Sequence, residues 1–162
     1  IALIKKNKAE GGKVDGVGIQ GHWRLESASL EEIEKSILEY SALGLKVAFT
    51  ELDITVLPNP WDLKGADVNQ NFEGSEKMNP YPKSLPDSIQ NKLAERYASI
   101  FKLFLKHKDK ISRVTFWGVH DGQSWLNNWP IKGRTNYPLP FDKDLKHKKA
   151  YDSLLTLKET KK

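Results

Sequence analysis

No cysteine occurs anywhere in the 162 residues. That excludes a disulfide framework, a thiol nucleophile and a Cys-ligated metal, and it leaves the redox compartment open. Long apolar runs are also missing: none approaches the ~20 residues that a membrane-crossing helix needs. Nothing resembling a secretory leader opens the chain, because no basic-then-apolar pattern is present and the first residue is Ile1 rather than Met. Ile1-Ala2-Leu3-Ile4-Lys5-Lys6 reads instead as the interior or tail of an amphipathic helix. An opening in mid-element predicts a piece of a longer chain. What remains is ordinary: 38% hydrophobic and 29% charged residues, as in one soluble globular domain rather than a disordered segment. The net charge is +5, from 26 Lys and Arg against 21 Asp and Glu. The lysines are scattered and form no basic stripe interleaved with aromatics, so a solvated surface is expected rather than a nucleic-acid site.

Three strand-then-helix units can be read. The opening helix stops at Gly11-Gly12, and Val14 to Gln20 follows as a short strand whose glycines suggest close backbone approach. Ser29 with Glu32 three residues later forms a capping box, after which Leu30, Ile33, Ile37 and Tyr40 recur at helical spacing up to Gly44. Lys46 to Ile54 begins as a continuously apolar strand of the buried parallel kind. Roughly residues 55 to 86 carry five of the eight prolines and no periodicity. So long a βα connection predicts a functional loop. A helix from about Pro86 to His107 presents Ile89, Leu93, Tyr97, Ile100, Phe101 and Phe104 on one face. The third strand, Ile111 to Val119, leads into an aromatic loop from His120 to about Phe141 and a last helix over roughly Lys148 to Leu157.

Repeated strand–helix units imply a parallel sheet with helices outside it, either doubly wound or closed into a barrel. The barrel is favoured, because polar and aromatic residues gather at strand C-terminal ends that long loops follow. No glycine-rich phosphate loop follows any strand, which disfavours a nucleotide-binding sheet. Three strands cannot close an eight-stranded barrel, so unpaired sheet edges are expected.

The chemistry-bearing residues lie at those strand ends. In Thr50-Glu51-Leu52-Asp53-Ile54, two carboxylates stand at i and i+2 on one strand face. Side by side they repel, which points to a site rather than to a structural pair. Gln20 and His22 share a face at the end of the preceding strand, from where His22 would bridge Glu51 and Asp53 and fix their ionisation. Trp23, Trp117, Trp125 and Trp129 fall near predicted strand ends, which suits stacking on the apolar faces of sugars.

Together, Ile19-Gln20-Gly21-His22, the Thr50-to-Ile54 segment, and Thr115-Phe116-Trp117-Gly118-Val119 with Ser124-Trp125 resemble glycoside hydrolase family 10, the endo-β-1,4-xylanases. The resemblance covers nearly the whole chain. It implies a (β/α)8 barrel of which this chain is the C-terminal part, strands six to eight with their helices, as one domain over residues 1–162. It implies Glu51 as nucleophile, with His22 and Asp53 holding it ionised, and Gln20, Trp117, Trp125 and Trp129 around the sugar. It also implies xylan or xylo-oligosaccharide as partner, the N-terminal part of the same barrel as a second partner, and a secreted, periplasmic or cell-surface location. No cofactor, metal or membrane partner is implied.

One departure matters. The family takes its acid/base Glu from an Asn-Glu pair at the end of the fourth strand, and this sequence contains no Asn-Glu dipeptide. The resemblance therefore predicts the nucleophile half of a retaining site, inactive alone. The alternatives are a non-catalytic carbohydrate-binding fragment and another retaining barrel glycosidase acting on β-1,4-glucans. Asp67, Asn69, Asn71 and Glu73 alternate like the start of a calcium loop, but Phe72 stands where Gly is needed and Met78 where the closing acid is needed, so a polar turn is expected.

Overall fold

The computed structural model describes residues 1–60 and 72–157. Among these, four α-helices and four strands alternate as the sequence implies: α1 (Ala2–Ala9), β1 (Gly16–Ile19), β2 (His22–Arg24), α2 (Leu30–Ser41), β3 (Lys46–Thr55), α3 (Asp87–Lys106), β4 (Ile111–Phe116) and α4 (Lys149–Leu155). Each strand pairing is parallel. β1 and β2 both pair with β3 on one side, Gly16 opposite Lys46 and His22 opposite Asp53, and β4 pairs with β3 on the other. Among the described residues β3 is therefore the central strand, and its neighbours pair with no other strand.

The first strand departs from its expected form. It is broken between Ile19 and His22 into two short pieces rather than one run ending at Gln20. Gly21 sits in the break. A Cβ there would lie 3.3 Å from Leu52 Cδ1 and 3.4 Å from Leu52 Cα, so the close approach to β3 leaves no comfortable room for a side chain. β4 ends at Phe116, three residues before the expected Val119. The turn comes at Gly118, whose φ of +133° is a glycine conformation and whose Cβ would meet Leu139 at 3.0 Å.

Helices cover one face of the sheet. The capping box forms as read: Ser29 Oγ accepts from the Glu32 N–H at 3.2 Å, and the Glu32 carboxylate accepts from the Ser29 N–H at 2.8 Å. Ile33 and Ile37 of α2, and Leu93, Tyr97, Ile100 and Phe104 of α3, meet Val47, Phe49, Leu52 and Ile54 of β3 in one buried cluster. Phe49 and Phe104 stack with ring centroids 4.3 Å apart. Trp23 belongs to this core, 5.7 Å from Phe49 and 6.4 Å from Phe104, centroid to centroid. That corrects its expected place on a sugar platform: its ring faces the helices.

The cluster holds odd residues of β3 (Val47, Phe49) and then even ones (Leu52, Ile54). A strict period of two cannot do this. Between Phe49 and Leu52 the register with β4 slips, three steps on β3 matching two on β4. Such a bulge inverts the alternation beyond it. Without it, Glu51 and Asp53 would lie on the face of Phe49, against the helices. With it, Leu52 and Ile54 take that face and both carboxylates turn to the other.

Candidate active site

Glu51, Asp53 and His22 form a chain of contacts at the C-terminal ends of the first-unit strand and β3. His22 Nδ1 is 3.0 Å from Asp53 Oδ1, and His22 Nε2 is 3.0 Å from Glu51 Oε2. The pairing of β2 with β3 sets this up, since it places His22 directly across from Asp53. The other oxygen of Glu51 accepts from Gln20 Nε2 at 3.1 Å. The other oxygen of Asp53 accepts from the indole N–H of Trp125 at 2.8 Å. Both carboxylates are thus held from two sides, in different surroundings: the Asp53 side chain is 1% exposed, while that of Glu51 is 20% exposed.

Carboxylates only accept hydrogen bonds, and both His22 nitrogens face one. An imidazolium satisfies both contacts; a neutral ring satisfies both only if a carboxyl brings the second proton. Burial pushes the Asp53 carboxyl above the usual aspartate range, while its hydrogen bonds from Trp125 and His22 pull it back. Asp53 is buried and both its oxygens are engaged. Glu51 is the carboxylate that keeps access to solvent.

The tryptophans stand around this chain. The Trp117 ring lies edge-on to His22 with centroids 6.3 Å apart and is 45% exposed. Trp125 lies 5.0 Å from His22 and stacks on Trp129, again at 5.0 Å with planes 25° apart. Gln20, His22, Glu51, Asp53, Trp117, Trp125 and Trp129 therefore form one contiguous group.

The model of the family described as Glycosyl hydrolase family 10 matches residues 1–157. The chain belongs to glycosyl hydrolase family 10. It is 43% identical over 159 residues to endo-1,4-beta-xylanase A of Xylanibacter ruminicola, which covers 98% of this chain and 43% of that protein. It is 37% identical to a beta-1,4-xylanase of Dictyoglomus thermophilum, over 92% of this chain and 38% of that protein. Among solved structures, a family 10 endoxylanase from a sugarcane soil metagenome superposes with a TM-score of 0.86 at 45% identity, covering 95% of this chain and 42% of the other. The fold is thus a (β/α)8 barrel in part: the chain spans less than half the length of the relatives it matches.

Several supporting residues carried no signal in the sequence. Asp121, Lys148 and Asn136 are buried behind the Trp125 loop, and nothing in a single sequence separates such polar residues from a solvated loop. Of the calcium-like alternation, Asp67, Asn69 and Asn71 lie outside the described residues. Among the described residues no cluster of His, Asp and Glu has the makings of a metal site, and no helix is long and apolar enough to cross a membrane.

Proposed function

We propose that this chain supplies the nucleophile-bearing wall of a retaining endo-β-1,4-xylanase, with xylan or xylo-oligosaccharide as substrate. The observation that carries the reading is the contact chain from Trp125 through Asp53 and His22 to Glu51. It holds one solvent-accessible carboxylate beside a positively polarised imidazole, in a fixed orientation, among aromatic rings suited to sugar faces. Glu51 attacks the anomeric carbon and forms a glycosyl-enzyme bond as the leaving oxygen takes a proton. Water then attacks the same carbon, giving up a proton to the second carboxyl that the first step deprotonated; the bond to Glu51 breaks, returning it as carboxylate with the configuration retained.

The proton donor is a second carboxyl, which in retaining enzymes stands about 5–5.5 Å from the nucleophile. Asp53 is not that group, since both its oxygens are engaged by His22 and Trp125. We assign the donor to the remainder of the barrel, with this chain providing strands six to eight. The isolated chain is then inactive on xylan, because general acid catalysis alone contributes about 10²–10⁴-fold and half of the sugar-binding wall is lacking. The secreted or cell-surface setting follows from the same reading, since xylan is a polymer outside the cell.

Turnover of an activated aryl xyloside by the barrel completed with its N-terminal part tests this. Glu51→Ala abolishes hydrolysis, leaves xylan binding nearly intact and regains turnover on added azide. Wild-type rates in Glu51→Ala without azide reject the nucleophile. A carbohydrate-binding role without catalysis has one observation in its favour, the exposure of Trp117 and Trp129. A completed barrel that binds xylan without cleaving it would establish that role.

A further inference from the structure

We infer that the buried ion pair of Lys148 and Asp121 is a positioning device for Trp125, and through Trp125 for Asp53. Lys148 Nζ donates to Asp121 Oδ2 at 2.8 Å, to the Tyr137 carbonyl at 2.8 Å and to the Leu139 carbonyl at 2.7 Å. Three ammonium protons meet three acceptors, so the charge is fully satisfied away from water. Asp121 Oδ1 accepts from the Leu139 N–H at 2.9 Å, and its main-chain carbonyl accepts from Asn127 Nδ2 at 2.9 Å and from the Ser124 N–H at 3.2 Å. Asn127 Oδ1 accepts from the Asn136 N–H at 2.8 Å, and Asn136 Nδ2 donates to Thr55 Oγ1 at 2.7 Å, at the end of β3. Trp125 sits between Ser124 and Leu126, both buried, in the short 3-10 turns that this network fixes.

Neither helix capping nor general stabilisation accounts for the pair. Lys148 immediately precedes α4, and a cation at a helix start has the wrong sign for the helix dipole. A buried ion pair also adds little to overall stability, since desolvation offsets most of its attraction. Apolar packing does not replace it either. Asp121, Asn127, Asn136 and Lys148 line an open pocket of about 600 Å³, so on this side the loop is held by polar bonds rather than by apolar contacts. The function of Trp125 that this serves is its hydrogen bond to Asp53, so the inference rests on the site reading above.

The test reads the indole directly and needs no substrate, so it stands apart from the question of catalysis. The barrel completed with its N-terminal part is labelled with ¹⁵N-tryptophan, the Trp125 indole N–H is assigned by its loss in Trp125→Phe, and its exchange with water is measured. The double variant Asp121→Leu, Lys148→Met removes the clasp while keeping apolar bulk. The expected result is about tenfold or more faster exchange at Trp125, the size expected for one lost hydrogen bond to a charged group, with Trp23 in the helix-packed core unchanged. Unchanged exchange at Trp125 in the folded double variant overturns the inference. If that variant does not fold, Asp121→Asn decides. It retains the shape and loses the charge, and its Trp125 exchange rises about threefold or more, whereas no rise overturns the inference.

Discussion

Replacing Asp53 by Asn tests the electrostatic reading of the site with little change of shape. Asp53 now accepts from two donors, His22 Nδ1 on one oxygen and Trp125 Nε1 on the other. An amide has one acceptor atom and one donor group. With its oxygen kept on Trp125, its NH₂ faces His22 Nδ1, which must then accept. His22 is left neutral with its single proton on Nε2, directed at Glu51 3.0 Å away. Every contact survives, but two bonds fall from charge-assisted to ordinary strength. The difference is ~1 kcal/mol per bond, from ~1.5–3 down to ~0.5–1.5. Two such bonds amount to ~2 kcal/mol, a loss of about 30-fold in kcat/KM if the imidazolium acts in the transition state. The assay is aryl xyloside turnover by the completed barrel, read beside the ¹⁵N shifts of His22, one of only four histidines in the chain. Full activity in Asp53→Asn, or a His22 that still carries both ring protons, would rule out this electrostatic role for Asp53.

The two kinds of tryptophan should separate cleanly. Trp23→Ala, which empties a space beside the stacked rings of Phe49 and Phe104, should cost about 3 kcal/mol in a denaturant titration. Trp117→Ala, at a ring 45% exposed, should cost little stability and weaken xylo-oligosaccharide binding in calorimetry. The pH dependence of stability carries the mark of Asp121, whose carboxyl burial pushes up to about 6. The folded chain then holds a proton that the unfolded chain has already released, so the contribution of Asp121 falls as pH rises from about 4 to about 6 and is level above that. Asp121→Asn should remove that slope from a series of unfolding curves.

The element order was legible because each unit announces itself locally. A capping box starts α2, a β-branched and aromatic run makes β3, and six apolar positions at helical spacing make α3. The grouping of His22, Glu51 and Asp53 was legible for a related reason: parallel strands with short crossovers align their C-terminal ends. Three features were not. The slip between Phe49 and Leu52 decides which face of β3 the carboxylates take, and simple alternation would have put them on the face of Phe49. Trp23 follows His22 on β2 and so points away from it, to the helices, although its near neighbours in sequence include Gln20 and His22. The break at Gly21 is likewise a property of the contact with Leu52, residues far apart in the chain. Long-range register and packing set all three.

Covalent trapping of the attacking carboxylate decides whether it is Glu51. The completed barrel is inactivated with a fluorinated xyloside that forms the glycosyl-enzyme bond and breaks it slowly, then digested and mapped by mass spectrometry. A single fluorinated pentosyl adduct is expected on Glu51, in the peptide containing Thr50-Glu51-Leu52-Asp53. An adduct on Asp53, or on a carboxylate outside β3, would contradict it.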